Sequence, residues 1–153
     1  MTEIKWHIYL SGEIHSNWRA QIIEGIKKNK LPIQVSGPIT DHQSSDSCGT
    51  HILGEEPSSF WSDHKSAKIN YIRNKRLIEE ADIIIVKFGE KYRQWNASFE
   101  AGYANAIGTP IITMHSPDLT HALKEIDAVA LAVTETPEQT VKILQYVSEG
   151  QLL

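Results

Sequence analysis

The sequence predicts a doubly wound α/β fold on a five-stranded parallel sheet, and three observations carry that expectation. Short β-branched runs alternate with segments of helical periodicity along most of the chain. The run Asp82-Ile83-Ile84-Ile85-Val86 is almost continuously apolar, the pattern of a strand covered on both faces. Turn residues such as Ser11-Gly12, Leu31-Pro32 and Gly108 with Pro110 fall where one periodicity gives way to the other.

Taken in order, Ile4 to Leu10 reads as a first strand. A helix follows from about Ser16 to Lys30, with Trp18, Ile22, Ile23 and Ile26 at helical spacing and Ser16 or Asn17 as its cap. Ile33 to Val35 is a short second strand. Residues 36–66 are rich in Ser, Asp, Gly and Pro and carry little periodicity, so a loop that covers a substrate is expected, with helical turns near Phe60-Trp61. Ala67 to Glu80 reads as a helix turning Ile69, Ile72 and Leu77 or Ile78 inward. The third strand spans Asp82 to Phe88, and a helix from Asn96 to Ile107 closes at Gly108. Pro110 to Met114 forms the fourth strand and Ala128 to Val133 the fifth. Pro137 to Glu149 is a final amphipathic helix with Val141, Leu144 and Val147 on one side. Strands interleaved with helices in this way predict the flavodoxin-like order 2-1-3-4-5, in one domain over residues 1–153.

Composition narrows the function classes. Fifteen Lys and Arg against nineteen Asp and Glu give a formal charge of −4, which argues against a general binder of nucleic-acid polymers but not against a single nucleoside or nucleotide. The single cysteine, Cys48, excludes an intrachain disulfide framework and suits a reducing cytoplasm. No apolar run approaches the ~20 residues needed to cross a bilayer, and the chain opens on a strand rather than a signal peptide. A cytoplasmic protein is the expectation.

The stretch Trp95-Asn96-Ala97-Ser98-Phe99-Glu100-Ala101-Gly102-Tyr103-Ala104 follows the buried third strand. In a parallel sheet such a loop and helix start lie at the carboxyl edge, where ligands bind. Asn96 as N-cap would place Glu100 near the helix start, and Glu100 shares a helical face with Ala104 and Ile107. A carboxylate on an inward face at a strand edge is a candidate reactive group. The pocket is expected along the carboxyl edges of strands one, three and four.

Three ordered segments resemble the nucleoside 2-deoxyribosyltransferases: Tyr9-Leu10-Ser11-Gly12, Glu79-Glu80-Ala81-Asp82-Ile83-Ile84 and Phe99-Glu100-Ala101-Gly102-Tyr103-Ala104. The likeness runs from about Ile4 to Thr113 and is greatest to the small YtoQ-type branch. It implies cleavage of the N-glycosidic bond of a 2′-deoxynucleoside, by transfer or hydrolysis, with Glu100 as nucleophile and Tyr9 holding it. A covalent ester splits one hard displacement at an oxocarbenium-like C1′ into two easier ones. No cofactor or metal is implied. Ser11 and Gly12 would let the backbone approach the ligand, and Ser98 would contact a 5′-hydroxyl or phosphate. A homo-oligomer, simplest as a dimer, is implied as well, with His115 and Ser116 reaching a neighbouring site.

The departures from the family pattern are at Gln94, Asn96 and Asn74. Aspartates stand at the first and third of these places in the transferases, and a glycine at the second. Amides bind a base or sugar but do not transfer a proton at neutral pH. Three alternatives follow: another group assists the leaving base, the substrate leaves more readily, or the site only binds. Asp41 and Asp63, in the long polar segment, are the candidates for a replacement acid. The metal-capable residues there, with Cys48-x-x-His51 among them, lack a second Cys/His pair and read as loop polarity. Trp61, Tyr92 and Trp95 could stack on a planar base.

Overall fold

A computed structural model describes residues 3–152. Five parallel strands form a sheet in the order β2-β1-β3-β4-β5, the arrangement the sequence predicts. They are β1 (Trp6–Gly12), β2 (Ile33–Ser36), β3 (Ile83–Lys87), β4 (Ile111–Met114) and β5 (Ala132–Thr134). Because side chains alternate across a strand, the sheet builds two cores. Ile8, Leu10, Ile83, Ile85, Ile112 and Met114 point to one side, against Trp18, Ile22 and Ile26 of α1 (Trp18–Lys28) and Val141 and Leu144 of α6 (Pro137–Glu149). Tyr9, Ile84, Val86 and Ile111 point to the other, where α3 (Ser59–Glu80) and α4 (Trp95–Ala106) supply Ile78, Ala97, Ala101 and Ala104. The period-two rule therefore sends Tyr9 to the α4 side.

The polar segment 36–66 is not a loop. It forms α2 (His42–Leu53) and the first two turns of α3, which reaches back to Ser59 rather than starting at Ala67. Side chains of Asp41 and Ser58 cap the two helices by accepting from the N–H groups of Ser44 and Trp61. The helices then pack through polar and small residues. Ser66 Oγ accepts from Gly49 N (2.9 Å) and donates to Asp46 O (2.7 Å), while Asn70 Nδ2 donates to Ser45 O (3.0 Å). Helix α2 and the first turns of α3 thus have no apolar stripe for periodicity to detect.

Other boundaries shift for identifiable reasons. Lys124–Val129, partly expected as strand, is the short helix α5, because Asp127 is anchored to Thr113 and His115. Helix α4 begins at Trp95, with Gln94 rather than Asn96 at the cap position, and Ser98 N bonds to Gln94 O (3.2 Å). Glu100 consequently sits in the second turn, beyond the reach of the macrodipole that acts within the first. Ile72, Ile107 and Val147 face solvent instead of the core. No described helix is long and apolar enough to cross a membrane.

At the end of β1 the backbone turns at Gly12 with φ of 112°. A Cβ there would stand 2.1 Å from the carbonyl oxygen of Lys87, so the close approach of β1 to β3 by itself requires glycine. Gly12→Ala should lower the unfolding free energy by at least about 2 kcal/mol, combining positive-φ strain with overpacking. Urea denaturation measures it, and a change below about 0.5 kcal/mol, the range of unremarkable surface substitutions, would contradict this reading.

Candidate functional site

Helix α4 lies close to the sheet because its inward face is made of Ala97, Ala101 and Ala104. The fourth inward residue is Glu100, three residues after Ala97, so its carboxylate is delivered against β1 while remaining only 8% exposed. Ser11 Oγ donates to Glu100 Oε1 across 3.4 Å, a long bond. Glu100 Oε2 and the Tyr9 hydroxyl are both enclosed and have no partner of hydrogen-bond geometry. They lie close enough to shift each other's proton affinity. Burial, and then the charge of Glu100, push the Tyr9 phenol far above its ordinary value, so it stays protonated. Burial also raises Glu100, opposed by Tyr9, Ser11 and the positive charge of Arg19.

Arg19 is a residue that sequence motifs missed. Its guanidinium reaches from α1 to the end of β1 and donates to the carbonyls of Leu10 (3.3 Å), Gly12 (3.1 Å) and Glu13 (2.5 Å), over the ring of Trp18. It holds the strand end in place and sets a cation near Tyr9 and Glu100. Burial lowers its own proton affinity, and Glu13, Tyr9 and Glu100 oppose that. The available signal was an arginine beside the buried Trp18. Glu13, next to Gly12, was missed too.

Glu100 opens onto a cleft of about 980 Å³. One wall is the carboxyl edge of β1 and β3, from Gly12 to His15 and from Tyr92 to Ala97, with Phe99 and Glu100 of α4; the other is α2 and α3, including His42, Asp63, Asn70 and Asn74. Strand β4 contributes nothing to this lining. Among the residues singled out from sequence, Gly12, Asn74, Gln94, Asn96 and Glu100 line the cleft together with Asp63, Tyr92 and Trp95. Tyr9 and Ser11 lie behind Glu100, fully buried. The Asn74 Oδ1 atom is buried without a partner. Gln94 Oε1 accepts from Gly89 N (3.0 Å) and so braces the β3–α4 loop.

Several candidates lie elsewhere. Ser98 is outside the lining, and its hydroxyl turns back to Gln94 O (3.5 Å). Asp41 caps α2 and bonds Ser44, away from this cleft, while Trp61 packs against Phe60 and His64. His115 is buried, with Nε2 at 2.8 Å from Asp127 and Nδ1 at 2.7 Å from Ser116 O. It is therefore not free to reach a neighbouring molecule's site. Ser116 Oγ donates to Glu90 (2.5 Å). Among the described residues, no three His, Cys, Asp or Glu side chains form a metal-binding group.

The family model described as "Nucleoside 2-deoxyribosyltransferase YtoQ" matches residues 9–148. The uncharacterized protein YtoQ of Bacillus subtilis is 44% identical over 144 residues, covering 94% of this chain and 97% of its own. A conserved protein from Enterococcus faecalis shares the fold with a TM-score of 0.63 at 13% identity, covering 93% of this chain and 98% of its own. A 2-deoxyribosyltransferase from Bacillus psychrosaccharolyticus does so with a TM-score of 0.53 at 17% identity, covering 88% and 90%. At these identities the two solved structures bear on the fold alone.

The raised proton affinity of Glu100 has a consequence for stability. Folding holds that proton more tightly than the unfolded chain does, so stability is greatest below the unfolded carboxylate pKa and falls as pH rises through the higher folded value. Glu100→Gln removes this penalty. It should stabilise the fold at neutral pH by on the order of 1 kcal/mol, since a neutral amide takes the place of a thinly partnered buried charge. The gain should disappear near about pH 3.5, below the ordinary glutamate pKa. Denaturant melts at the two pH values measure it, and an equal effect at both would contradict the burial argument.

Proposed function

The chain belongs to the nucleoside 2-deoxyribosyltransferase YtoQ family, and from that premise and the cleft geometry we propose that it acts on the N-glycosidic bond of a deoxynucleoside or deoxynucleotide, with Glu100 as nucleophile. The observation that supports this most directly is a buried carboxylate on the cleft wall whose Oε2 has no partner. Burial leaves that oxygen unpartnered, and Tyr9 behind it stays protonated and so adds no competing negative charge.

In the first step a Glu100 oxygen bonds to C1′ as the C1′–N bond breaks. The electron pair departs with the base nitrogen, which takes up a proton from water in the open cleft. In the second step a nitrogen of another base, or water, attacks C1′ and loses its proton, and the ester electrons return to Glu100. Tyr9 and Ser11 act as positioning residues that hold the carboxylate. Asn74 lines the cleft, and Asn96 offers an exposed amide to the ligand. Gly12 and Gln94 shape the edge of the pocket. Tyr92 and Trp95 supply aromatic faces for a planar base. We assign no cofactor.

A second reading, a binding protein that keeps the pocket without turnover, is favoured by the amides at Gln94 and Asn74. Mass spectrometry after incubation with a panel of deoxynucleosides and deoxynucleotides separates the two. The catalytic reading expects a sugar adduct on Glu100 that Glu100→Gln abolishes while the protein stays folded. Binding across the panel without adduct or product would favour the second reading.

We also propose a homo-oligomer, at simplest a two-fold dimer, because α4 presents Trp95 (74% exposed) and Phe99 (60% exposed) outward beside Tyr71. Light scattering at micromolar concentration should give at least twice the chain mass of 17.2 kDa, and a clean monomer would overturn it.

A further inference from the structure

Glu13 is the first residue beyond the positive-φ turn at Gly12, and its side chain lies across the β1–β3 edge. Gly89 at the end of β3 makes room for it, since a Cβ there would stand 2.7 Å from Glu13 Cγ. The residue is 8% exposed, yet it lines the same cleft as Glu100. Oε2 accepts from Ser16 Oγ (2.6 Å) and Oε1 from His15 N. A carboxylate offers about four acceptor positions, so these donors, with the Ser16 backbone N–H beside them, leave at least one open. Burial opposes the charge. Hydrogen bonds from Ser16 and His15 together with the charge of Lys87 outweigh it, holding the group below the usual carboxylate range.

The cleft thus holds two buried carboxylates with different surroundings. Glu100 is thinly bonded; Glu13 is braced in position by donors from its own loop. An ionised, fixed carboxylate with spare lone pairs selects hydrogen-bond donors and repels anions. On a nucleoside, the hydrogen-bond donors nearest the reacting C1′ on the sugar side are hydroxyls. Resting on the function proposed above, we infer that Glu13 is a specificity-determining residue that accepts a hydrogen bond from a sugar hydroxyl of the ligand. It would orient the sugar so that C1′ faces Glu100.

Calorimetric titration in a Glu100→Gln background, which binds without reacting, tests this as a cycle between protein and ligand. The probes are 2′-deoxynucleosides of the four bases and their 3′-deoxy and 5′-deoxy counterparts. Removing one of the two hydroxyls should weaken binding roughly 10- to 100-fold, the range of a hydrogen bond to a charged group. Adding Glu13→Gln should weaken the parent nucleoside by a similar factor and make that hydroxyl's removal nearly free. Independent, multiplying losses for both hydroxyls would overturn the inference and leave Glu13 as a loop brace, with nucleoside binding intact. Where Glu13→Gln does not fold, Glu13→Asp, which keeps the charge and shortens its reach, supplies the same cycle. If no probe binds even with Glu13 present, the functional reading falls, and the inference with it.

Discussion

A carboxylate enters the interior of this protein on a helix face otherwise made of alanine, and much of the architecture around it follows from keeping it there. The alanines of α4 let the helix settle near the sheet. That proximity sets Glu100 against the side of β1 from which Tyr9 and Ser11 project. Burying an ionised carboxylate costs several kcal/mol unless it is well partnered, and here the partnering is thin: one long bond, an adjacent phenol and the nearby charge of Arg19. The fold around it rests on two buried apolar cores and a clamped strand end. Three carbonyls at the end of β1 converge on one guanidinium, and Gly12 lets β1 run against β3.

The α2–α3 pair turns that strand edge into a cleft. Its helices are held by caps and by hydrogen bonds among Ser45, Gly49, Ser66 and Asn70 rather than by an apolar seam. The wall they present is therefore largely polar, with Asp63, Asn70 and Asn74 in its lining. Ile39, Ile78, Tyr92 and Trp95 add apolar and aromatic lining, a mixture that suits a ligand with a flat ring and a few polar groups.

How much of this is legible in the sequence differs by residue. The strand order follows from β-branched runs separated by helical patterns, and Ile83 to Val86 is as buried as its continuity implies. Glu100 is findable because it interrupts an alanine face, although its place in the helix shifts once Gln94 takes the cap position. Helix α2 is not visible by periodicity, since its stability lies in Asp41 as a cap and in contacts to Ser66 that only tertiary structure supplies. Ser98 and His115 show how position along the chain leaves side-chain direction open. Both stand near the right strand ends, but one bonds its own helix and the other is enclosed with Asp127. Arg19 and Glu13 carry no motif and become visible only when β1, β3 and α1 are brought together.

The central claim is that Glu100 meets the anomeric carbon. A crystal structure of the Glu100→Gln protein with a bound 2′-deoxynucleoside tests it most directly. The account predicts C1′ within about 3–3.5 Å of a side-chain terminal atom at residue 100, the separation of a near-attack arrangement. It also predicts the base lying towards Tyr92 and Trp95. A sugar seated elsewhere in the cleft, with C1′ turned away from residue 100, would contradict it.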